Sequence, residues 1–152
     1  MRAFILFVSV MLSLAGCGPQ PQRDVAPSAN RIVRLGDAEI KGLDPQKISD
    51  LASLRVAADQ FEGLTRFAAD GRAEAGLASS WAVSSDGLVW TFQLAPKIRF
   101  SDGQEITPAI FARTFTRLRD PATAAPQMAL FESIVSVEAK DGGTVAVKLS
   151  QP

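Results

Sequence analysis

At 152 residues the chain is the size of one ordinary domain, and with 47% hydrophobic and 21% charged residues it can bury a modest core. Lys plus Arg and Asp plus Glu both total 16, so the chain lacks the basic excess that a phosphate backbone attracts, and no nucleic-acid partner is expected. There is no histidine, which removes Ser-His and Cys-His nucleophile pairs and the commonest metal ligand together.

The chain opens with Met1 and Arg2, followed by an apolar run over residues 3–14 that only Ser9 and Ser13 interrupt. A membrane-spanning helix needs roughly 20 such residues, so the run is too short to span and reads as a signal peptide. It ends in Leu14-Ala15-Gly16-Cys17, which resembles the lipobox of bacterial lipoproteins. Residues 1–16 are accordingly expected to be removed and Cys17 to be lipidated, anchoring the protein to a membrane. The bland alternative is that Cys17 is a leftover free thiol. As the sole cysteine it leaves no disulfide and no cysteine-based zinc cluster. Cleavage removes Arg2 alone among charged residues, leaving 15 basic against 16 acidic. Residues 17–30 are rich in Pro, Gln, Ser and Ala without apolar periodicity, which predicts a flexible tether, so the folded part is expected over residues 31–152.

Residues 31–35 form a short β-prone run, and Leu43-Asp44-Pro45 predicts an extended or turning stretch because residues before proline avoid the helical region. A helix is expected next, with Ser49 as N-cap, Leu51, Leu54, Ala58 and Phe61 as its apolar positions, and Gly63 as a left-handed stop. Asp70-Gly71 marks a hairpin turn, and Ser84-Ser85-Asp86-Gly87 a second turn. Leu88, Trp90, Phe92 and Leu94 then alternate with Val89, Thr91 and Gln93 in the manner of a half-buried strand, placing Trp81, Trp90 and Phe92 in the core. After a turn at Phe100-Ser101-Asp102-Gly103, Thr107-Pro108 opens a second helix with Phe111, Phe115 and Leu118 on its apolar face and Asp120-Pro121 as its end. Arg113, Arg117 and Arg119 on that helix read as a solvated face. A short helical piece over residues 126–131 and a closing hairpin around Asp141-Gly142-Gly143 complete the order. Strands joined by tight turns and mixed with separate helices predict an α+β lobe with largely antiparallel pairing.

Catalytic chemistry has little material here. No glycine-rich phosphate loop of the P-loop or dinucleotide type is present, and the Asp-Gly pairs are turns. Asp44, Asp50, Asp59 and Glu62 are carboxylates near one another in sequence, but charged positions around a helix explain them without acid-base work. No enzyme activity, metal or cofactor is expected.

Several motifs nevertheless coincide in order: Leu43-Asp44-Pro45; Phe61-Glu62-Gly63-Leu64; Asp70-Gly71; Gly76-Leu77-Ala78 with Ser80-Trp81; Trp90-Thr91-Phe92 with Leu94; Phe100-Ser101-Asp102-Gly103; and Asp120-Pro121-Ala122-Thr123. Together they resemble the family 5 extracellular solute-binding proteins, the oligopeptide- and dipeptide-binding components of ABC importers. The resemblance continues weakly through residues 137–152. It implies a two-lobed periplasmic-binding-protein-like fold about three times longer, of which this chain is the first strand of lobe one plus a β-rich subdomain, the second lobe and hinge being absent. The implied partners are a peptide ligand held between the lobes, with its backbone met by protein backbone groups, and the permease of an ABC transporter.

In that family, cleft contacts from this portion fall just after the Leu-Asp-Pro motif and just after the Asp-Pro-x-Thr segment. The resemblance therefore places ligand contacts at Ser49, Asp50 and Leu51, and at Gln127. Oligopeptide-binding members often carry an acid at the place of Ser49 and a tyrosine at that of Gln127, whereas this chain has no tyrosine at all. Plainer roles for the four are helix capping for Ser49 and Asp50, core packing for Leu51 and a surface turn for Gln127. Within the same fold the ligand alternatives are nickel, haem, glutathione or a sugar. From other classes, a truncated lipid-anchored interaction protein competes, as does a periplasmic hydrolase whose nucleophile and base would lie beyond Pro152.

Overall fold

The computed structural model describes Gly36 and residues 38–152, all within the unit Gly36–Pro152. The expected signal peptide over 1–16, tether over 17–30 and first strand over 31–35 lie outside the described residues. Helix α1 spans Leu51–Gln60, strands β1 and β2 Thr65–Phe67 and Ala73–Ala75, β3 Ala78–Val83, β4 Val89–Leu94, helix α2 Pro108–Arg119, β5 Ile134–Lys140 and β6 Thr144–Leu149. Two short 3₁₀ turns, Pro121–Thr123 and Met128–Phe131, link α2 to β5. Among the described residues no helix is long and apolar enough to cross a membrane.

The architecture is α+β with antiparallel pairing, as the turn pattern implies. β1 and β2 form a two-stranded hairpin, and the remaining strands form a sheet in the order β3-β4-β6-β5. The turns sit at the expected places, with Gly71, Gly87, Gly103 and Gly142 all at positive φ, where a side chain would be strained. Directly opposed residues share a face of a sheet. The register sets Trp81 against Phe92, Phe92 against Val145, Trp90 against Val147 and Val147 against Val137, which makes one face apolar. Thr91, Gln93, Lys148, Ser136 and Glu138 occupy the other face, so each strand alternates as a sheet covered on one side requires.

The cover is α2, which packs on β5 and, less extensively, on β6. Pro108 stands at its first helical position after Thr107, whose side chain makes no cap bond; Leu118 is buried, and Asp120 closes the helix and caps the next turn through Ala122 N–H. Trp90 and Phe92 are half-buried, and the Trp81 and Phe92 rings lie 6.4 Å apart. Val145 is fully enclosed, and Leu94, Ile106 and Leu118 are buried as well. Between the apolar face, α2 and the Gly63-Leu64 segment run two overlapping cavities of about 710 and 480 Å³.

Helix α1 departs from the sequence reading in three ways. Its cap is Asp50, not Ser49, because the Asp50 carboxylate accepts from Ser53 N–H. Its buried positions are Ser53 and Ala57, whereas Leu51, Ala58 and Phe61 are exposed. Small side chains four apart let the helix approach the preceding loop closely, and the buried Ser53 Oγ accepts from Lys41 N–H (2.9 Å) and Gly42 N–H (3.4 Å). Finally, Gly63 is no left-handed stop. The helix ends at an extended Phe61, so that Gly63 and Leu64 can accept from Leu77 N–H (2.9 Å) and Ala78 N–H (3.0 Å). The approach is tight enough that a Cβ on Gly76 would stand 2.6 Å from Gly63 O.

Candidate functional site

The loop leading into α1 is shaped first by its own residues. Asp44 makes a turn in which its carboxylate accepts from Gln46 N–H (3.1 Å) and its carbonyl from Lys47 N–H (2.9 Å), the local bonding that favours aspartate before proline. Ile48 is buried. The chain then emerges at exposed Ser49 and enters the helix through Asp50, whose carboxyl is held below the usual aspartate range by the Ser53 backbone N–H it accepts.

The second segment comes from after the turn at residues 121–123. Asp120 caps that turn, Ala124 takes a left-handed conformation and Pro126 directs the chain to Gln127. There Gln127 Nε2 donates to the Ile48 carbonyl at 3.1 Å, across 79 positions of sequence. The two segments singled out by resemblance are thus brought together. Gln127 is half-buried and bonded rather than a free surface turn, and Leu51 is 58% exposed, so it is not in the core of the described residues. Asp50 is occupied as a helix cap. Cys17 lies outside the described residues.

Sequence reading missed a third participant. Arg117 is not merely part of a solvated face: its Nη2 meets Asp44 Oδ2 at 2.5 Å, and its Nη1 donates to Asp44 Oδ1 (3.1 Å) and Gln46 Oε1 (2.6 Å). Gln46 returns its amide to Thr114 O at 2.8 Å. Hydrogen bonding to Arg117 holds the Asp44 carboxyl below its ordinary range, and Asp44 raises Arg117 in turn. An Asp-Pro turn is visible locally; a partner 73 residues away carries no local signal.

The arrangement offers an extended molecule the exposed chain at residues 49–51, the Ser49 hydroxyl, and the amide hydrogen and carbonyl oxygen that Gln127 does not spend on Ile48. Among the described residues no group of three or more His, Cys, Asp and Glu is gathered as a metal would require.

Residues 72–152 match the family described as bacterial extracellular solute-binding proteins, family 5 Middle. The periplasmic oligopeptide-binding protein OppA of Salmonella typhimurium is 31% identical over 167 residues, covering 99% of this chain and 31% of its own length. The glutathione-binding protein GsiB of Escherichia coli K12 is 34% identical over 125 residues, covering 82% of this chain and 24% of its own length. Among solved structures, Haemophilus influenzae OppA in complex with RPPGFSPFR superposes with a TM-score of 0.71 at 31% identity, over 76% of this chain and 26% of that one. Listeria monocytogenes OppA bound to peptide gives 0.73 at 28% identity, with the same coverages. The chain therefore spans 24% to 31% of the length of these relatives. On the extent of that match, as much as on the sheet and its turns, the chain belongs to the family 5 bacterial extracellular solute-binding proteins.

Proposed function

We propose that the chain supplies one wall of a two-lobed periplasmic receptor that captures peptides and presents them to the permease of an ABC transporter. The observation that carries this reading is the Gln127–Ile48 hydrogen bond, which joins two sequence-distant segments into a single polar edge beside the exposed Ser49 and Leu51. An edge of that kind recognises peptide backbone, giving affinity without reading each side chain. The exposed Ala58 on α1 and the exposed Phe61 just after it support the further part of the reading, in which chain beyond Pro152 completes the lobe. Lipid on Cys17, after removal of residues 1–16 and with 17–30 as tether, would keep the receptor at the membrane. An intact mass of the membrane fraction showing unmodified Cys17 would remove that element.

A second reading within the same fold is glutathione, itself a short peptide, favoured by the 34% identity to GsiB and by the absence of tyrosine at Gln127. Calorimetric titration separates the two. The product of the whole reading frame and the chain of residues 17–152 are each titrated with mixed di- to pentapeptides and with glutathione. Peptide binding by the longer protein and none by the shorter is the expected result, because half a cleft leaves the ligand's polar groups exchanging with water. Equal binding by both would place the whole site in this chain. A reading frame that ends at Pro152, with no binding to either ligand, would favour a lipid-anchored interaction protein.

A further inference from the structure

Helix α2 is held to the body by apolar packing on the sheet, whereas α1 has no comparable contact with either sheet. The segment that delivers α1 is tied down chiefly by polar side chains reaching from α2 and from the turn after it. Arg117 engages Asp44 end-on, one nitrogen to each carboxylate oxygen, and also reaches Gln46. Gln46 in turn bonds the backbone of α2 at Thr114. Beyond them, Gln127 fixes Ile48, the residue immediately before the exposed stretch. The neighbouring arginine Arg119 has other employment, lying 5.7 Å above the Phe115 ring and donating to Val135 O at 3.2 Å.

We infer that Arg117 is a positioning residue for the ligand wall: through Asp44 and Gln46 it fixes where residues 49–51 stand relative to Gln127, and so sets the affinity for an extended ligand. The inference rests on the peptide-receptor reading, since it assigns a role within that site. The guanidinium fork matters because two parallel bonds fix direction as well as distance, which a lysine ammonium cannot do. Arg117 and Asp44 side chains are 47% and 36% exposed, so the pair contributes little to global stability. Its effect falls on the population of segments correctly placed. If release leaves about a tenth of molecules with the wall in register, apparent affinity falls about tenfold.

The test compares wild type, Arg117→Met, Arg117→Lys and Arg113→Met as a control on the same helix. In the product of the whole reading frame, Arg117→Met should raise the peptide dissociation constant about tenfold with a nearly unchanged thermal midpoint, and Arg117→Lys should fall between. In the 152-residue chain, amide exchange at Lys47 and Leu54 should accelerate in Arg117→Met and not in Arg113→Met. Wild-type affinity in Arg117→Met, or unchanged exchange, overturns the inference. Failure of the wild type to bind any peptide counts against the receptor reading, and the exchange result then decides the positioning role by itself.

Discussion

Residues 78–149 find most of their partners on adjacent strands or across short turns: β3 pairs with β4, β5 with β6, and α2 lies on the sheet that β5 and β6 complete. Residues 41–60 do the opposite. Among their fixed points are Ser53 holding Lys41 and Gly42, Arg117 and Thr114 holding Asp44 and Gln46, and Gln127 holding Ile48, the last three reached across 68 to 79 positions of sequence. Apolar burial scales with area and tolerates small shifts, so the first region resists perturbation. Directional polar bonds are lost once their partners move apart, so the second is expected to open while the first stays folded. Of the residues proposed to meet ligand, Ser49, Asp50 and Leu51 belong to the second region, and Gln127 reaches them from the first.

That contrast is broken most severely from the sheet side. Trp90→Ala removes a half-buried indole from the apolar face beneath α2, and should cost about 3 kcal/mol, the low end for a truncated core aromatic because Trp90 is only partly enclosed. A urea titration should show one lower midpoint for both regions, since residues 41–60 have nothing to hold without the body. An unchanged midpoint would put Trp90 outside the stabilising face. Ser53→Ala is smaller and should be confined to the other side. Two backbone N–H groups lose a buried acceptor, at about 1–3 kcal/mol of local stability, so exchange at Lys41 and Gly42 should accelerate at least tenfold while the urea midpoint moves little. A proportionate fall in the global midpoint would show that the two regions unfold as one.

The smallest effect is with pH. Asp44 has its folded-state pKa lowered, first by its hydrogen bond to Arg117, so the contact is fully present above the ordinary aspartate pKa of about 3.9 and is lost as pH falls through the lower folded value. The Gln46 carboxamide signals should report that loss by NMR at a midpoint below the ordinary range, moving upward in Arg117→Met. Identical midpoints in both proteins would mean that the carboxylate does not sense the guanidinium.

Legibility in the sequence follows the same division. Alternation over Val89–Leu94, the Asp-Gly turns and Thr107-Pro108 are local signals, and each element they predict is present within a residue or two. The start of α1 is visible in the sequence, but the choice between Ser49 and Asp50 as its cap depends on which side chain reaches Ser53 N–H. Its buried face was misjudged because hydrophobicity marks Leu51 and Phe61, while close approach to a neighbouring loop selects the small Ser53 and Ala57. Ser49 and Gln127 came from resemblance, not from pattern. What joins their segments is the Gln127–Ile48 bond, across 79 positions, too distant in sequence for any periodicity to reveal.

The meeting of Gly63 and Leu64 with Leu77 and Ala78 closes a neck below the β1–β2 hairpin, and at that neck Gly76 has no room for a side chain. At the far end, Gly71 has nothing within 4 Å of where a side chain would begin. Added length therefore meets no neighbour at the tip, although Gly71 itself sits at positive φ, while the neck stays closed to change, which makes the hairpin a handle. A dye or affinity tag spliced at residues 70–72 would ride outside the neck without crossing it, reporting on the molecule while leaving the stitched base as it is.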